Sequence, residues 1–129
     1  MTVFRHQLYE IKKGVRNLAL LTTSEEEARR AARWLRSKGM ECFVQCFGSN
    51  RANLFFGRAD CVEVARRLMR RKLYELNDEE DFMLGVLLGY DCREQCRRYL
   101  RRKTRGGGTP SQPLASCAAP ARETSEVFA

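Results

Sequence analysis

Between Asn17 and Gly57 the spacing of apolar residues changes character repeatedly, and that succession restricts the chain to folds in which helices pack on a sheet. Asn17-Leu18-Ala19-Leu20-Leu21-Thr22 is a short apolar run, the pattern of a buried strand. Ser24 then precedes Glu25, Glu26 and Glu27, a capping box whose acidic first turn suits the positive end of a helix dipole. The predicted helix runs to about Lys38, with Ala28, Ala31, Ala32 and Leu35 as its buried stripe. Arg29, Arg30, Arg33 and Arg36 fall on its wet side, and Gly39 is a natural stop. Glu41–Phe47 reads as a second strand, Gly48–Arg51 as a turn and Asn53–Gly57 as a third strand, which makes a hairpin.

The flanks extend this unit. Phe4, Leu8, Ile11, Val15 and Leu18 recur at alternating steps of four and three, which predicts an amphipathic helix over His6–Lys13 stopped by Gly14; a strand beginning near Val3 competes with it. After the hairpin, Asp60 is expected to cap a helix with Val62, Ala65, Leu68 and Met69 inward. Lys72–Leu76 reads as a fourth strand. Asn77 or Asp78 caps a helix over Glu79–Leu88, where Phe82, Met83, Val86 and Leu87 are apolar at helical spacing. Asp91 caps another over Cys92–Lys103, with Cys92, Cys96, Tyr99 and Leu100 on one side. Beyond Arg105, Gly106-Gly107-Gly108-Thr109-Pro110 leads into a Ser-, Pro- and Ala-rich stretch whose composition cannot build a core. The expected organisation is therefore one domain, residues 1–105, and a disordered tail, residues 106–129.

The order strand, helix, strand, strand, helix, strand predicts an α/β (α+β) fold. Its expected form is a ferredoxin-like βαββα(β) sandwich on a small mixed sheet, with a helix added before it and two after it. A strand–helix–strand unit favours parallel pairing of its two strands, and the hairpin adds an antiparallel neighbour. With 43% hydrophobic residues, including seven Phe, four Tyr and a Trp, the chain has material for one core. The N-terminal residues Met1–His6 lack the features of a signal peptide, and no apolar run approaches a membrane span. A cytoplasmic location with six reduced cysteines is the expectation, and a membrane partner is not expected.

Three stretches carry a resemblance: Tyr9–Leu20, Asn53–Gly57, and Glu80–Asp91 followed by Gln95-Cys96-Arg97-Arg98-Tyr99. The third is the most specific, since it joins an acidic cap, an apolar helix, Gly-Tyr-Asp and a second capped helix. Together they resemble a small bacterial family known as a domain of unknown function, over about residues 3–102. Members of that family are encoded beside flavodoxins, so the resemblance implies a role near flavin electron transfer. It brings no established catalytic or binding residues with it.

Candidate chemistry is sparse. Cys42 and Cys46 would project from one face of a strand, and Cys92 and Cys96 from one face of a helix. Zinc-binding cysteines more often sit on turns, so buried thiols are the favoured reading. His6 has no evident catalytic neighbour. Asp78, Glu79, Glu80 and Asp81 fit the negative first turn of a helix better than an acid/base pair. Gly106–Gly108 is followed by Thr-Pro rather than a helix, which excludes a phosphate loop. Neither an enzyme nor a bound cofactor is expected.

Charge offers more. The net charge is +8; the stretch 106–129 sets Arg122 against Glu123 and Glu126, which leaves +9 on residues 1–105. The arginines gather as Arg66, Arg67, Arg70 and Arg71, beside Lys72, and as Arg97, Arg98, Arg101 and Arg102, beside Lys103 and Arg105. A solvated helix face explains such clusters in part. If they form a surface patch, they suit an acidic protein partner, of which the resemblance suggests flavodoxin, and these eight arginines are the expected contact residues. Nucleic acid is the alternative. Phe43, Phe47, Phe55 and Phe56 sit on strands, but the aromatic signature of an RNA-binding sheet is absent, and core positions suit them better.

Overall fold

The computed structural model describes residues 2–70 and 72–105. Nine elements follow in order: α1 (Thr2–Lys13), β1 (Leu18–Ser24), α2 (Glu25–Ser37), β2 (Glu41–Phe47), β3 (Arg51–Gly57), α3 (Ala59–Leu68), a 3-10 turn (Leu73–Glu75), α4 (Asp78–Leu87) and α5 (Cys92–Thr104). Ser24 caps α2 as expected, its Oγ accepting the Glu27 amide at 3.2 Å, while the Glu27 carboxylate is engaged by the Ser24 hydroxyl. Thr23 Oγ1 adds a bond to Glu27 Oε1, so β1 passes into α2 with no intervening loop.

The sheet order is β1-β3-β2, and both hydrogen-bonded pairs are antiparallel. The strands β1 and β2 are not neighbours, as direct parallel pairing would require. Instead β3 returns through the hairpin and inserts between them, a split βαβ arrangement. The α+β class, the N-terminal helix and the two C-terminal helices are as expected.

Helices cover both faces of the sheet. Ala19, Leu21, Cys42, Ala52, Leu54 and Phe56 meet Phe4, Leu8 and Ile11 of α1 and the Ala28, Ala31, Ala32 and Leu35 stripe of α2. Leu18, Leu20, Phe43 and Phe55 lie opposite, under Val62, Ala65 and Met69, then Leu73, Leu76, Leu84 and Leu88. The ferredoxin-like sandwich expected from the sequence has therefore become three layers. A run such as Leu18–Leu21, buried at every position, is what a strand covered on both sides requires. Gln7 of α1 donates from Nε2 to the Leu20 carbonyl at 3.2 Å, which ties α1 to the edge strand β1.

Several local expectations change. α1 begins at Thr2 rather than His6, which excludes the competing strand near Val3, and β3 begins at Arg51 rather than Asn53. Arg58, not Asp60, is the N-cap of α3; Asp60 sits in the first turn and accepts the Cys61 amide at 2.9 Å. Lys72–Leu76 is not a fourth strand, because Leu73 and Leu76 are both buried while Tyr74 is exposed. Burial three residues apart is the period of a 3-10 turn, whereas a strand would alternate. The expected disordered tail, residues 106–129, lies outside the described residues.

Two tight features hold the layers in register. Gly57 has φ +150°, and a Cβ there would stand 2.3 Å from the Asn17 carbonyl oxygen. The Arg58 amide donates to that same carbonyl at 3.0 Å, so the end of β3 and the approach to β1 close on each other. Arg16 links further: Nε reaches Glu10 Oε1 at 2.7 Å and Nη1 donates to the Leu88 carbonyl at 2.9 Å. The loop before β1 is thereby fastened to the end of α4.

Candidate functional site

The candidate site is built on the α4–α5 hairpin. Asn77 starts α4: its Oδ1 accepts the Glu80 amide at 2.8 Å and Glu80 Oε1 accepts the Asn77 amide at 3.0 Å. That cap sets Asp78 and Asp81 on the side facing α5, where they are 5% and 2% exposed. Carboxylates so buried need cationic partners. Arg98 supplies a bidentate one, Nε to Asp81 Oδ2 at 2.7 Å and Nη2 to Oδ1 at 3.2 Å. Arg102 bridges the two acids, Nε to Asp78 Oδ1 at 2.9 Å and Nη1 to Asp81 Oδ2 at 3.1 Å.

A wetter pair flanks this seam. Lys103 Nζ lies 2.9 Å from Glu79 Oε2, and the Tyr99 hydroxyl donates to the same oxygen at 2.8 Å. Lys103, then Tyr99, holds the Glu79 carboxyl down at about 2. In return the Glu79 carboxylate raises both the Tyr99 phenol and the Lys103 ammonium above their ordinary values. Gly85 completes the fit: a Cβ there would meet the Gln95 Oε1 at 2.1 Å, so this helix pair approaches closely where α4 has no side chain.

Since buried charge holds much of the contact between α4 and α5, several of their apolar residues are left on the outside. Leu84 of α4 and its C-cap residue Leu88 are buried in the core, and Leu87 packs against it. Met83 and Val86 remain 45% and 42% exposed, and Leu100 of α5 is 61% exposed. Phe82, Met83, Cys96, Tyr99 and Leu100, with Glu79 at one end, line an open groove of about 480 Å³. Phe82 and Tyr99 have ring centroids 5.6 Å apart within it. Leu100 is shared with an adjoining hollow of about 430 Å³ lined by Arg97, Arg101, Thr104 and Arg105.

The eight candidate arginines thus have different situations. Arg98 and Arg102 turn inward onto Asp78 and Asp81. Arg97 is on the outer side, 3.2 Å from Glu94, and Arg101 is exposed with no carboxylate partner among the described residues. On α3, Arg66 and Arg67 share Glu63, and Arg66 also lies over the Phe43 ring, 5.2 Å from its centroid. Arg70 is exposed and donates to the Arg67 carbonyl at 3.3 Å. Arg71 lies outside the described residues. The α3 cluster stands against the sheet while the α5 cluster stands against α4, so the two occupy separate elements.

Residues 2–102 match the family described as protein of unknown function (DUF2023). The chain belongs to that family. The matched span takes in the whole ionic seam, since Arg102 is its last residue. No curated protein matches the sequence. Among the described residues of this DUF2023 chain, no helix is long and apolar enough to cross a membrane.

The other expected candidates fall apart from one another. Cys42 is buried on the α2 side of the sheet, where its thiol donates to the Ala32 carbonyl, and burial raises its pKa. Cys46 is exposed on the same side, 3.3 Å from Arg29 Nη2. Cys92 and Cys96 are on α5, across the sheet, so the four thiols do not converge. Burial and the neighbouring Cys92 also raise the Cys96 thiol, opposite to what a nucleophile needs. Among the described residues no group of three or more His, Cys, Asp and Glu is arranged for a metal ion. His6 is exposed and lies 3.3 Å from Glu10 on the same helix. Phe55 and Phe56 are fully buried, and Phe43 stacks on Phe55 at 4.7 Å beneath α3.

Sequence reasoning missed the groove and the seam together. The signal was available: Asp78 and Asp81 are one turn apart, as are Arg98 and Arg102. Two carboxylates and two guanidinium groups at matching helical spacing fit face to face. Read helix by helix, each pair looks like ordinary dipole decoration.

Proposed function

We propose that this protein is a non-enzymatic accessory module that docks an acidic protein, with flavodoxin as the partner to test, in a bacterial cytoplasm. The observation that carries the proposal is Arg101 on the outer side of α5: exposed, unpaired with a carboxylate among the described residues, and beside Arg97 and the exposed Leu100. Arg97 is held by Glu94 across a solvent-exposed gap, a weak pair that a partner carboxylate can replace. The charge of +9 on residues 1–105 would draw an acidic protein in and speed the encounter. Arg67 and Arg70 widen the basic field from α3. Arg98 and Arg102 act indirectly, by fixing the helix that carries Arg97 and Arg101.

The test is a calorimetric titration of the full chain against flavodoxin from the same organism, at low and at physiological salt. Saturable binding that weakens with salt, and weakens further with Arg101→Glu, is the expected result. Binding of a mixed-sequence oligonucleotide in place of flavodoxin would replace the acidic protein with nucleic acid. For that alternative Phe43 and Phe55 lie under α3 and are withdrawn from base stacking, so arginine–phosphate contact would carry the larger share of the attachment.

A further inference from the structure

We infer that the groove between α4 and α5 receives an amphipathic helix of the acidic partner, an inference that rests on the accessory role proposed above and specifies how docking occurs. Three observations point to a helix. The groove is open and apolar at its centre, with Phe82, Met83 and Leu100 presenting large side chains to solvent or half to it. Its volume of about 480 Å³ leaves room for a few apolar side chains of a partner. Finally, its walls are two helices whose backbone groups are bonded internally, so they offer no sheet edge to an extended strand. A helix satisfies its own backbone and sets apolar anchors one turn apart, which suits a groove of this shape.

Charge identifies the chemistry of that helix. Leu100 is common to the groove and to the hollow lined by Arg97, Arg101 and Arg105, so the apolar floor runs directly into a basic rim. The acidic residue at the other end, Glu79, is already taken by Lys103 and Tyr99. The complementary ligand therefore carries Leu, Met or Phe side chains along one stripe and carboxylates beside it. A second copy of this chain fits poorly: two-fold pairing through the rim would set Arg97, Arg101 and Arg105 against their own counterparts.

The test uses a fluorescently labelled designed peptide with Leu at helical spacing and Glu flanking that stripe. Two control peptides replace the Leu by Ser or the Glu by Lys. The full chain is titrated as wild type, Leu100→Glu, Met83→Glu and Arg101→Glu, with circular dichroism confirming that each exposed-site variant folds. Saturable binding is expected, at least about tenfold weaker with Leu100→Glu and with either control peptide. Amide shift changes should concentrate in α4 and α5. A flat titration, affinity indifferent to Leu100→Glu, binding to anionic phosphatidylglycerol vesicles in place of the peptide, or self-association of the chain through this face would each overturn the inference. The same variants separate it from its premise. Flavodoxin binding that is lost with Arg101→Glu but kept with Leu100→Glu overturns the groove and leaves the acidic partner standing. Peptide binding without flavodoxin binding retires flavodoxin and upholds the groove.

Discussion

Arg98 lies against Asp81 and makes two hydrogen bonds to its carboxylate, at 2.7 and 3.2 Å, and Asp81 is 2% exposed. Arg102 reaches the same Asp81 and carries the bridge on to Asp78. The interface between α4 and α5 is thus held by a desolvated ionic seam, where an apolar stripe would ordinarily serve. Such pairs contribute little net stability against an apolar replacement, but losing one member leaves a charge stranded.

Asp81→Ala should therefore destabilise the protein by about 3–5 kcal/mol, read as a shift in the urea midpoint at unchanged slope. Adding Arg98→Ala to it should cost far less than Arg98→Ala alone, because the stranded charge is removed with it. Additive losses would mean that the two side chains are not coupled.

Gly57→Ala should destabilise by about 2–3 kcal/mol, since its Cβ would collide with the Asn17 carbonyl, a backbone atom that cannot rotate away. Gly85→Ala meets the movable end of Gln95 and should be the milder change. Thermal melts of the two variants give the comparison.

Asn77→Ala removes one half of a capping box and should cost about 1 kcal/mol. Asn77→Gly should cost only a few tenths of a kcal/mol more than wild type. Chemical denaturation distinguishes the two.

The Glu79 carboxyl should titrate near 2 by carboxyl-carbon NMR, well below its ordinary 4.5. Its folded-state pKa is depressed, so the stabilisation it contributes is complete above 4.5 and is lost as the pH falls toward 2. Glu79→Gln should remove that part of the acid response and let the Tyr99 phenol titrate closer to its ordinary value. An unchanged Tyr99 titration would show that the bond between them does not persist in solution.

How far the sequence could be read depended on the range of the signal. The Ser24 cap is local chemistry, and the strand–helix junction it marks stands where the sequence placed it. Glu41–Phe47 is likewise bounded by turn residues and matches the observed strand. Strand order is not local. Nothing within β3 states that it will insert between β1 and β2, and the unequal faces of α4 depend on what α5 brings to them. The outer residues Phe82, Met83 and Val86 have helical spacing, as core residues do, and the actual core positions Leu84 and Leu88 keep the same period. A helix apolar on two sides cannot be oriented from its own sequence. The arginines show the same limit: Arg97 and Arg98 are adjacent in the chain, yet one faces solvent and the other a buried acid.

The seam between α4 and α5 also sets a rule for divergence among relatives. A carboxylate buried at position 81 needs a cation beside it, which Arg98 and Arg102 supply, so these sites should change together in descent. Members that have exchanged the acids for apolar residues should have exchanged the arginines in the same lineage. Those that keep one half without the other should be found only where some third side chain has taken over the missing charge.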